Sequence, residues 1–141
     1  MTKAAFSLAA LSAVAAGDTP FEIEYVLPNG EGSGVFLQVL GGQSATVQEA
    51  VNKMVNDRRR KQAAADALKK GPDKADFTPI EDDIAFGHRL TAVRLVGWRG
   101  ITEDWSAENA LTLVRSNADI AEQITSASNN LANFMKASLK A

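Results

Sequence analysis

The segment that most restricts the fold is "FEIEYVLPNGEGSGVFLQVL", residues 21–40. Phe21, Ile23, Tyr25 and Leu27 alternate with Glu22, Glu24 and Val26, the period-two signature of a half-buried strand. Asn29-Gly30 and the glycines at 32 and 34 supply turn conformations, and "VFLQVL" resumes as a second strand ending at Gly41-Gly42. Two strands alone are marginal in water. A hairpin here must therefore lay one face on helices or on another chain, and the rest of the sequence supplies helices. The expected fold is α+β, mainly α: an N-terminal β-hairpin (20–42) followed by four helices in one small domain spanning 1–141.

The first of those helices is the basic segment 44–70. Ser44 or Thr46 can cap it, the latter with Glu49 in capping-box spacing, and Val47, Val51, Met54 and Val55 form an apolar stripe. Beyond Arg58 the stripe stops and the sequence turns basic and alanine-rich. That half has little to bury and is expected to project. After the linker "GPDKADF" a helical part covers 78–136. Thr78-Pro79-Ile80-Glu81 is a strong helix start, and Ile80, Ile84, Thr91, Leu95 and Trp98 fall on one face, which predicts a long helix ending near Gly97–Gly100. Ser106 caps a short helix carrying Leu111 and Val114. Asn117 can cap a last one carrying Ile120, Ile124, Leu131 and Phe134.

The function classes left open are few. The 141 residues contain no cysteine and one histidine, with a formal net charge of −2. This excludes disulfides, thiolate zinc sites and a cysteine nucleophile, and gives no general attraction to nucleic acid or anionic membrane. No apolar run approaches a membrane span. His88 has its nearest same-face carboxylate, Glu81, two helical turns away, roughly 10 Å along the axis, so the pair cannot share a metal ion. It reads as a structural histidine. There is neither a nucleophile elbow nor a phosphate-binding glycine loop. No catalytic, cofactor or metal residues are assigned.

Arg58, Arg59, Arg60 and Lys61 step by about 100° per residue and fan around the helix, with no aromatic partners for base stacking. A solvated or protein-contacting helix fits them better than nucleic acid. Trp98 and Trp105 flank "RGITED"; they either plug the joint between helices or anchor a partner. Leu111, Val114, Ile124, Leu131 and Phe134 form stripes that serve either as core or as a groove for another chain.

The order of segments carries a resemblance: "FSLAAL", a strand pair around a Pro/Gly turn, "GGQSATVQEAVNKMVNDRRRK", "VRLVGWRGI", then "WSAENALTLVRSNADIAEQITSASNNLANFMK". It resembles the tail assembly chaperones of long-tailed, siphovirus-like bacteriophages over about Phe6 to Lys136. The family's pattern falls on Gly97-Trp98, Ser106, Glu108, Asn109, Ala110, Leu113 and Asn133-Phe134. Ala107 departs from it, where proline is common, and the alanine-rich N-terminus is long. The resemblance implies a non-enzymatic protein of the host cytoplasm, absent from the mature virion. Such a protein binds the tape-measure protein and recruits tail tube subunits, without cofactors, nucleic acid or membrane. Partner-binding residues are expected among Arg58, Arg59, Arg60, Trp98, Trp105, Leu111, Val114, Ile124, Leu131 and Phe134. A projecting basic helix and an open hairpin edge also favour association of the chain with itself.

Two alternatives remain. One is a structural virion component, such as a minor tail or head-tail joining protein. The other is a small exported protein, because "MTKAAFSLAALSAVAAG" has the outline of a secretory signal. Its apolar stretch is mostly alanine and its basic start is Lys3 alone, which favours a retained N-terminal arm over 1–19.

Overall fold

The structure is a computed structural model that describes residues 5–68 and 79–139. The hairpin forms as the alternation requires: β1 (Phe21–Val26) pairs antiparallel with β2 (Gly32–Val39), Ile23 opposite Leu37 and Phe21 opposite Val39. The turn closes through Leu27 N–H to the Glu31 carbonyl (2.8 Å) and Gly30 N–H to the Leu27 carbonyl (2.8 Å). Gly30 sits at φ +88°, where a side chain is strained.

The hairpin gains a third strand that the sequence reading placed in a helix. The helix starting after Pro79 is α3 (Ile80–Ala92), and Leu95–Arg99 is β3, antiparallel to β2 with Leu37 opposite Trp98 and Val39 opposite Leu95. Leu95 and Trp98 matched the helical period, but they are also three apart across a bulge in β3's pairing, so both fall on the core face of the sheet. The sheet order is β1-β2-β3. Of the two hairpin edges, the β2 edge is therefore occupied.

The fold is α+β and mainly α, as expected; among the described residues one helix, α1 (Ala13–Gly17), precedes the hairpin and five follow it where four were expected: α2 (Ala45–Leu68), α3, α4 (Ala107–Ser116), α5 (Ala118–Asn129) and α6 (Ala132–Leu139). The arm at the N-terminus condenses into α1. The predicted last helix breaks at Asn130 into α5 and α6. The N-cap of α2 is Ser44, fully buried, whose Oγ accepts the Val47 N–H at 3.1 Å. Ser106 caps α4 as expected, accepting the Asn109 N–H at 3.0 Å. Asn117 does not cap α5; its side-chain amide donates back to the Leu113 carbonyl (3.2 Å). Thr78, Lys69 and Lys70 lie outside the described residues.

The core forms where α4 and α5 cover one face of the sheet. Leu37, Val39, Leu95, Ala110, Val114, Ile120 and Ile124 are buried together, with Ile23, Tyr25, Val35 and Trp98 at the margin. On the opposite face Arg99 stacks on the Phe36 ring (3.9 Å) and grips Glu22 with two hydrogen bonds of 2.8 and 3.2 Å. Those bonds hold the Glu22 carboxyl below its usual range. The first and last helices meet beside this core: Gly41 donates to the Gly17 carbonyl (2.9 Å), and a Cβ on Gly41 would stand 2.8 Å from the Gly17 Cα. Only glycine permits that approach, and it seats α1 next to Phe134, itself edge-on to Phe21.

Candidate functional site: an open groove beside helix α4

The loop 100–106 between β3 and α4 has no regular backbone ladder, yet three side chains fix it. The Trp98 indole N–H donates to the Glu103 carbonyl (2.8 Å), the Trp105 indole to the Leu95 carbonyl (3.1 Å), and the Asn109 amide to the Asp104 carbonyl (3.0 Å). Each indole N–H, the polar edge of a largely apolar ring, is paired with a backbone carbonyl. Both tryptophans stand at the joint between β3 and α4, not at the end of the long helix expected there. Trp105 keeps 39% of its surface exposed.

Fixing the loop leaves a groove of about 270 Å³ along one side of α4. Its floor is Trp98, Ile101 and Leu113, and Asn109, Thr112, Ser116 and Asn117 rim it. Glu103 is the one charged lining residue. Helical spacing explains the split: Ala110 and Val114 point into the sheet, and Asn109, Thr112, Leu113 and Ser116 share the adjacent face. An apolar floor with a polar rim that is uncharged except at Glu103 can hold an apolar segment at little cost in desolvated charge. It supplies no nucleophile or acid–base pair.

The expected partner residues do not share one surface. Val114 and Ile124 are 0% exposed and Phe134 is 5% exposed. Val114 and Ile124 are core, whereas Phe134, though nearly buried, lines a small cleft of about 130 Å³ together with Leu131. Leu111 is half-buried, while Leu131 (41%) remains on the surface next to α1. The arginines lie elsewhere: Arg58 pairs with Asp83 and stacks on Phe86 (4.5 Å), Arg60 pairs with Asp57 (3.1 Å), and Arg59 is exposed. Trp98 is the one expected partner residue lining the groove. Ile101, Asn109, Thr112 and Ser116 were not anticipated there, because a polar neutral helix face signals nothing in a single sequence until a neighbouring loop walls it.

Two other polar centres are structural. Arg94, half-buried, donates to Ser128 Oγ and Asn129 Oδ1 (2.9 Å each) at the C-terminal end of α5, where the helix dipole favours a cation; burial pulls its pKa down. Tyr25 donates its hydroxyl to Asp119 (3.0 Å), and burial, then this bond, raise its pKa. His88 is half-buried on α3. Among the described residues no three His, Asp or Glu side chains are grouped to hold a metal ion, and no helix is long and apolar enough to cross a membrane.

Comparison of the chain with family models, with curated proteins and with solved structures finds no match in any of the three.

Proposed function

We propose that the protein is a tail assembly chaperone of a long-tailed bacteriophage: a non-enzymatic protein of the host cytoplasm that holds apolar helical stretches of the tape-measure protein and recruits tube subunits to it. The reading rests on the sequence resemblance, and one structural observation supports it. Trp98, Asn109 and Leu113, three residues of the family-like pattern, line one open groove with an apolar floor and a rim that carries Glu103 as its single charge. Ser106 and Ala110, two more, hold the helix that forms its wall. A helical client fits such a groove by laying its apolar side on the floor.

The test is capture of co-expressed tape-measure and tube proteins by the tagged full chain, beside a Thr112→Arg/Ser116→Arg variant. Both positions are exposed on the groove rim. The parent chain should retain both proteins, and the variant should lose the tape-measure protein while keeping its thermal melt. Failure of the parent chain to capture either protein overturns the reading. So does its recovery in stoichiometric amount from purified particles, which makes it a virion component.

A further inference from the structure

Every residue lining the groove beside α4 is uncharged except Glu103. Its place there is fixed by backbone bonds: the Glu103 carbonyl accepts the Trp98 indole N–H, and the next carbonyl, of Asp104, accepts the Asn109 side-chain amide. These bonds tie loop 100–106 to β3 and to the first turn of α4, so the one charge belongs to the N-terminal end of the groove. The helical wall runs from Asn109 to Asn117, about 12 Å at roughly 1.5 Å per residue. That is the length of two turns of a helix laid alongside it.

The Glu103 carboxylate is exposed and makes no hydrogen bond or ion pair among the described residues. Asp104 and Glu108, also exposed, add negative charge at the same end of α4. Glu108 answers the α4 dipole from within the first turn, whereas Glu103 precedes the helix and lines the groove. The cations of the flanking elements stand elsewhere. Arg99 is bound to Glu22 on the other face of the sheet, and Arg115 lies in the last turn of α4. A helix laid on Trp98, Ile101 and Leu113 strips water from one side of Glu103. An apolar flank leaves that cost unmet and an acidic one adds repulsion, while a lysine or arginine there forms an ion pair.

From this unpaired carboxylate at one end of an apolar floor we infer what the groove selects: an amphipathic helix with an apolar face about two turns long and a lysine or arginine ending that face. The inference rests on the chaperone reading's use of the groove, and its test separates the two. Three labelled peptides share one amphipathic helical sequence, Leu and Ala on one face and Gln and Ser on the other. They differ only at the residue ending the apolar face, which is Lys, Gln or Glu. Fluorescence anisotropy with the full chain should rank their affinities Lys, then Gln, then Glu. The step in Kd from Lys to Gln should be about fivefold, shrinking as salt rises from about 0.05 M to about 0.5 M. Glu103→Lys, at an exposed position whose carbonyl still takes the Trp98 indole N–H, should reverse the order. Thr112→Gln/Ser116→Gln, which raises longer neutral side chains on the rim, should weaken all three and so places the peptides in the groove. Equal affinity for the three, an order unchanged in Glu103→Lys, or binding indifferent to the rim variant overturns the inference. So does the absence of binding by any peptide. In each case the chaperone reading stands while the parent chain still captures the tape-measure protein, and falls with it when that capture is lost as well.

Discussion

The sheet with α4 and α5 and the arm formed by α2 and α3 belong to one chain but use their side chains differently. In the first region Leu37, Val39, Val114 and Ile124 are completely removed from water. In the second Ile80, Ile84 and Leu68 keep 67%, 52% and 83% of their surface exposed. At about 25 cal/mol per Å² of apolar surface buried, the free energy of folding comes from the sheet and the two helices laid over it. The C-terminal half of α3 packs on α4 and α5, while α2 beyond Arg58 and the first turn of α3 add little. What the difference teaches is that apolar periodicity alone does not tell core from recognition surface: Ile84 and Ile124 read alike in the sequence and end in opposite environments.

Substitutions in the two regions should diverge accordingly. Ile124→Ala leaves a cavity at a fully buried site and should cost about 4 kcal/mol, against less than about 0.5 for Ile84→Ala, as read from urea melts of the two variants. Equal losses would break the comparison. Trp98→Ala comes next at about 2–3 kcal/mol, below a fully buried ring because Trp98 is half-buried, and it also frees the Glu103 carbonyl. Loosening of loop 100–106, seen as faster amide exchange there, should accompany that loss.

These differences were only partly legible beforehand. The hairpin, the Ser44 and Ser106 caps and the projecting half of α2 rest on local chemistry and could be read residue by residue. β3 could not, because its pairing with β2 spans more than fifty residues and "LVGW" also satisfied a helical period over Leu95 and Trp98. The break between α5 and α6 was signalled by Asn129-Asn130, a turn dipeptide passed over in favour of a continuous stripe. The groove beside α4 was invisible because its walls are brought together by three side-chain bonds, two to carbonyls of loop 100–106 and one to the Leu95 carbonyl of β3.

Smaller effects sharpen the contrast. Gln123 reaches from α5 to the exposed edge of β1, accepting the Val26 N–H (3.1 Å) and donating to its carbonyl (2.9 Å). It pairs with the strand as another strand would, and so blocks edge-to-edge addition. Gln123→Ala should cost about 1 kcal/mol and raise the aggregation rate on warming, measured by light scattering. Replacing Arg58, Arg59 and Arg60 together with alanine should change stability by under about 1 kcal/mol, since their ion pairs are exposed; a global loss of helicity by circular dichroism would show that the arm is not peripheral. The slightest effect is on pH. Glu22 has its folded pKa depressed by Arg99, so its contribution is present above the ordinary carboxylate range and is lost as pH falls through the folded value. An Arg99→Met variant should flatten that acid limb of the pH–stability curve slightly.

Hydrogen exchange tests the division of the molecule most directly. Amides of β2 and α5 should exchange only through global unfolding, while those of α2 beyond Arg58 and of the first turns of α3 exchange far faster through local opening. Uniform protection across both regions would contradict it.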